Sequence, residues 1–193
     1  VSGMLTARIP HQDALTVGGL WAPPYVSSNF RLAVSLFDQA AGTEHYTWHP
    51  FQVERTGTVR SVTVESVTTL IPGARAGVMR VTLTNGENEL RTVPVTVTAS
   101  GTLDRADRWE FGAPESRTAV TAGISDGAFM LAQGDLAIVI RGDHDIRWDD
   151  SRSGGQTSIL LQPQGHATLS ITFAIGAADE AAKACASIAA NPG

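Results

Sequence analysis

The sequence predicts an all-β protein, a large antiparallel β-sandwich of the supersandwich type with a short C-terminal α-helix. Three observations carry that prediction. Apolar and polar residues alternate along most of the chain, as half-buried strands require. Turn residues separate the alternating stretches at intervals of about ten positions, the spacing of stacked antiparallel sheets. Only the last stretch, AADEAAKACASIAANPG, abandons alternation for helix formers, with Asp179 and Glu180 near its start and a Pro-Gly stop. The expected division is a sandwich over 1–176 and a helix or linker over 177–193.

Taken in order, WAPPYVSSN (21–29) reads as an extended loop fixed by its two prolines and presenting Trp21 and Tyr25 for contact. EHYTWHPFQVER (44–55) then gathers His45, Tyr46, Trp48 and His49 in a chain whose aromatic content is only 6%. On an alternating strand His45 and His49 share a face but stand about 13 Å apart, too far for one metal ion. Aromatic faces beside hydrogen-bonding groups suit sugar rings. Equally, Tyr46 and Trp48 fit a turn anchored against the core, because large aromatics are mostly buried.

TVRSVTVESVTTLI (58–71) sets Val59, Val62, Val64 and Val67 among polar residues with two slips of phase, which predicts one long, bulged strand ending at a Pro-Gly turn. GARAG (73–77) lies between strands and makes a turn, not a nucleotide site. GVMRVTLTN (77–85) and ELRTVPVTVTASG (89–101), joined by NGEN, predict a hairpin with a glycine-bearing loop. Pro94 belongs on an edge strand or at a bulge, since it cannot donate to a ladder. Further strands are expected at RWEFG, RTAVTAG, AFMLAQ, LAIVIRG, IRWDD, TSILLQP and ATLSITFAIG.

Composition narrows the function classes. Fourteen Lys+Arg against 19 Asp+Glu give a formal charge of -5, and the arginines are scattered, so nucleic acid is not an expected partner. No run approaches the roughly 18 apolar residues of a membrane helix, so a soluble chain is expected and its compartment stays open. The lone cysteine, Cys185, excludes an internal disulfide framework and any multi-cysteine metal site; a packed small residue is expected there. No phosphate loop, nucleophile elbow, HExxH or CxxC is present, and neither cofactor nor metal is expected. GDHDIRWDD (142–150) places Asp143, Asp145, Asp149 and Asp150 around His144, a set able in principle to do acid–base work or hold calcium. It lacks EF-hand spacing, and acids at hairpin tips are usually solvated.

Three stretches taken together resemble one family. They are VRSVTVESVTTLIPGARAGVMRVTLTNGENELRTVPVTVTASG, WEFGAPES followed by DGAFMLAQGDLAIVIRG, and ATLSITFAIGAADEAAKACASIAANPG. Over most of 30–193 the chain resembles the N-terminal supersandwich of six-hairpin glycosidases, the glucoamylase-like and glycogen-debranching-like glycoside hydrolases. The resemblance implies a carbohydrate-metabolism enzyme in which an (α/α)6 catalytic barrel in cis carries the paired acids. The sandwich would then be non-catalytic: it would pack on and stabilise the barrel and lend a loop, here EHYTWHP, to the sugar cleft. No catalytic residue is assigned within the chain. Trp21, Tyr25, His45, Tyr46, Trp48 and His49 are the candidates for substrate or interdomain contact. Two alternatives stand beside this reading. One is a stand-alone carbohydrate-binding module or partner subunit with an exposed aromatic platform. The other is a self-contained enzyme using GDHDIRWDD, which needs two carboxyls about 5 to 9.5 Å apart.

Overall fold

A computed structural model describes residues 4–105 and 119–190. The expected strand RWEFG, the WEFGAPES stretch and the Pro-Gly end lie outside the described residues. The first strands are β1 (Thr6–Arg8), β2 (Thr16–Ala22) and β3 (Tyr25–Leu36). Next come β4 (Thr43–His49), β5 (Gln52–Val59), β6 (Val62–Leu70) and β7 (Ala76–Asn85). They are followed by β8 (Arg91–Ser100), β9 (Asp104–Arg105), β10 (Thr121–Ser125), β11 (Ala128–Gln133) and β12 (Leu136–Gly142). After β13 (Arg147–Asp149) a 3-10 turn, Asp150–Arg152, leads into β14 (Gly154–Leu161), β15 (His166–Ala177) and the helix α1 (Ala178–Ala190). No helix among the described residues is long and apolar enough to cross a membrane.

The strands form two antiparallel sheets, as the alternation predicts. Among the described residues, one has seven strands, β1-β2-β3-β8-β14-β13 with β9 beside β3, and the other eight, β10-β11-β12-β15-β7-β6-β5-β4. Their facing sides supply the core: Leu32, Val34, Val95 and Val97 from one sheet meet Val64, Val81, Leu83 and Ile171 from the other. Strict alternation puts the polar partners of these residues outside, for example Thr92, Thr96 and Thr98 on β8.

Four expectations change. The single long strand over 58–71 is two strands, β5 and β6, joined at Arg60 and Ser61 with φ of 46° and 65°. Both central residues are left-handed, as a tight two-residue hairpin turn demands, and the slip in alternation marks that turn. The hairpin of 77–101 is an arch: β7 pairs with β6 and β15, while β8 pairs with β3 and β14 in the other sheet. Buried Asn85 builds its corner, donating through Nδ2 to the carbonyls of Glu89 (2.8 Å) and Gln162 (3.1 Å) and accepting from the Glu87 N–H. Both strands alternate because both face the same core from opposite sides, and alternation does not tell an arch from a hairpin.

Pro94 sits on neither an edge nor a bulge, for β8 lies between β3 and β14. The β3–β8 register ends at Leu36 opposite Val95, beyond which β3 turns away at Phe37 and Asp38 with φ of 53° and 59°. The Pro94 carbonyl accepts from Phe37 N–H on that side. The missing donor therefore points where no partner strand remains. Lastly, WAPPYVSSN is no loop: it is the end of β2, a turn at Pro23 and Pro24, and the start of β3.

The C-terminal helix folds back onto the eight-stranded sheet. Ala181 and Cys185 are buried against Ala76, Ala137, Val139 and Ala174 on the outward face of the eight-stranded sheet. Alanines on both surfaces let the helix approach closely. Cys185 is a packed small residue, and burial pushes its thiol up to about 12 from an ordinary 9.0.

Candidate functional site

Four of the six candidate contact residues lie together on the β4–β5 hairpin. Tyr46 stands opposite Arg55 and Trp48 opposite Val53. Cross-strand partners share a face, and Val53 and Arg55 are buried on the core side. Tyr46 and Trp48 thus lie on the core-side face of their sheet, yet they are 40% and 62% exposed, with Phe51 of the turn 49% exposed beside them. The cause is an overhang: β4 is the edge strand and packs chiefly on β5, and the opposing sheet does not cover it. His45, Thr47 and His49 occupy the opposite face, where His49 Nε2 lies 3.6 Å from Glu54 Oε1. No described group of three or more His, Cys, Asp or Glu residues could hold a metal ion.

Where the overhang meets the core, one buried guanidinium fixes its base. Arg55 Nη1 donates to the carbonyls of Asp13 (2.7 Å), Thr16 (2.8 Å) and Pro10 (3.3 Å), and Nη2 donates to Thr68 Oγ1 (3.1 Å). The N-terminal segment is thereby clamped across β5 and β6, and Ser66 Oγ adds a bond to the Ala14 carbonyl. Burial lowers the Arg55 pKa to about 10, opposed by Asp13 and Tyr46, so the group stays charged at neutral pH.

The other two candidates lie elsewhere. Trp21 is 4% and Tyr25 9% exposed. The Tyr25 ring lies under the guanidinium of Arg75 at 5.1 Å and that of Arg105 at 5.6 Å. Both aromatics pack within the molecule at the β2–β3 turn.

Half of the acidic run GDHDIRWDD is spent on local structure. Asp143 Oδ1 accepts from the Ser170 N–H (2.9 Å), and His144 Nε2 donates to the Thr168 carbonyl (2.8 Å). Asp149 Oδ1 accepts from the N–H (3.0 Å) and hydroxyl (2.6 Å) of Ser151, and Arg152 lies 3.2 Å from its other oxygen. The Ser151 hydroxyl bond, more than the arginine, holds this carboxyl below its ordinary range. Asp145 and Asp150 instead line a cleft of about 880 Å³ over the outward face of the seven-stranded sheet. Its floor comes from strands β8 and β14, more than fifty residues apart in the chain, so no local motif announces it.

No protein-family model matches this chain, and no curated protein matches it. Among solved structures it is similar to one described as "Putative kojibiose phosphorylase from human microbiome", at 8% identity and a TM-score of 0.47. That likeness covers 99% of this chain but only 28% of the other, so the chain spans less than a third of its length.

Proposed function

We propose that this chain is a non-catalytic sandwich domain of a carbohydrate-active glycoside hydrolase, packing on an (α/α)6 catalytic barrel in cis and lending the β4–β5 hairpin to the contact or to the sugar cleft. The observation that carries the reading is the overhang: two large aromatics on the core-side face of an edge strand, 40% and 62% exposed. An apolar face of this kind is covered in the assembled protein by another surface or by a sugar ring. The supersandwich resemblance of 58–101 and of the β15–α1 stretch supports the same assignment, with the catalytic acids on the barrel. The second reading, a stand-alone carbohydrate-binding module, draws on the same Trp48 indole.

The test is Tyr46→Ala with Trp48→Ala in the native full-length protein. Trp48 is mostly solvent-facing and Tyr46 is more than half covered, so the sandwich itself should lose no more than about 2 kcal/mol. Substrate affinity or the stability of the interdomain contact should fall at least about tenfold, the scale of a truncated aromatic anchor. If both stay at wild-type values, the reading fails. A native reading frame with no helical region, together with sugar-induced quenching of Trp48 fluorescence in this chain alone, would replace it with the module.

A further inference from the structure

On the opposite sheet from the overhang, the cleft of about 880 Å³ has a wall that is fixed in place. Its floor is a patch of paired outward side chains on β8 and β14, with Thr96 opposite Gln156 and Pro94 opposite Ser158. The wall is the rim formed by β13, the edge strand paired to β14 in the same sheet, and the 3-10 turn after it. Two successive glycines of β14 allow close approach of its neighbours: a Cβ at Gly154 would strike the Val97 carbonyl of β8, and one at Gly155, on the core side opposite Val97, would meet Ile146 at 2.6 Å and Trp148 at 2.7 Å. The Trp148 ring stacks on Phe129 at 5.8 Å, and its Nε1 donates to the Gly127 carbonyl at 3.0 Å. Asp149 caps the turn, its carboxylate accepting from the Ser151 N–H and hydroxyl and pairing with Arg152.

None of these bonds uses the side chains of Arg147, Asp145 or Asp150, which line the cleft without a protein partner among the described residues. The set combines carboxylate acceptors, a guanidinium donor, and hydroxyl and amide groups that do both. Sugar hydroxyls, each a donor and an acceptor, match that mixture. An anion does not, because free carboxylates outnumber the free guanidinium. Along each strand the outward groups repeat at about 7 Å, and across strands at about 5 Å, so the polar floor is extended and not a point. A space of this size exceeds one sugar ring and falls in the range of ligand sites, about 300 to 1,000 Å³.

We infer that the cleft between β13 and the outward face of β8 and β14 binds a neutral oligosaccharide, independently of the β4 overhang. The inference does not rest on the glycoside-hydrolase reading, since any extended polyhydroxylated chain would satisfy it.

The experiment is a titration of the isotopically labelled 193-residue chain with maltohexaose, cellohexaose and mannohexaose in turn, followed by amide NMR. Saturable shifts at Thr96, Thr98 and Gln156 are expected with at least one sugar. Arg147→Ala combined with Gln156→Ala, both at exposed positions, should weaken binding at least about fivefold with the rest of the spectrum unchanged. Absence of shifts at about 10 mM of every sugar overturns the inference. Shifts confined to Tyr46 and Trp48 also overturn it, and leave the proposed function standing. Tighter binding of tetra-arginine than of any sugar would make this a basic-peptide site and overturn the ligand class.

Discussion

Arg55 shows how one residue can set the position of a whole segment. Its inward phase between Val53 and Gly57 puts an arginine where alternation calls for an apolar side chain. It is tolerated because three carbonyls from the N-terminal segment accept its protons. Arg55→Met should cost about 3 kcal/mol in urea denaturation, since it leaves buried acceptors without a donor. Arg55→Lys should recover only part of this, because an ammonium cannot span the same acceptors as a planar fork. Neither the inward phase of Arg55, set in the polar run Glu54-Arg55-Thr56, nor its partners some forty residues away can be read from the sequence. Cys185 makes a second prediction at this scale. Its thiol is raised to about 12 in the folded chain and ionises near 9.0 when unfolded. Below 9.0 both states hold the proton and the group is neutral to stability; between 9.0 and 12 the unfolded state alone releases it. Stability should therefore fall with rising pH across that window, more steeply in wild type than in Cys185→Ala, as urea midpoints at successive pH values would reveal.

Elements were legible in proportion to how local their cause is. The alternation of β8 and β14 marks each strand because one side of each is buried, while β12 and β15, covered by α1 on their outer side, are marked by continuous apolar runs. Which strand lies beside which depends on the connections, and two of these carry no local mark. At Arg60 and Ser61 the turn residues are poor formers of a left-handed turn, so the chain gave no Asn-Gly signal and two strands looked like one. At Asn85 the polar stretch looked like a hairpin loop, although its asparagine joins two sheets. The first miss yields a prediction. Replacing Arg60 and Ser61 by Asn and Gly suits the observed φ of 46° and 65° and should stabilise the protein by about 1 kcal/mol, measured as a shift in denaturation midpoint at constant slope.

Across the whole molecule, the two candidate surfaces follow from how the sheets sit on each other. Eight strands facing seven leave β4 uncovered, which exposes Tyr46 and Trp48; the aromatic cluster itself could be read from the sequence, its exposure could not. The cleft depends on β8 meeting β14 and was invisible for the same reason. The chain also alternates between layers, with β1–β3 in one sheet, β4–β7 in the other, then β8 and β9, β10–β12, β13 and β14, and β15 by turns. Since each crossing ties the layers together, thermal and urea unfolding should follow one transition, with tryptophan fluorescence and far-UV circular dichroism coinciding. Separate midpoints for the two probes would contradict that coupling. The same interleaving bears on inheritance. A genetic break anywhere from β4 to β14 divides both layers at once, so a recombined half would carry two torn sheets and no finished one. Such a fold can be gained, lost or moved between proteins only as an undivided piece.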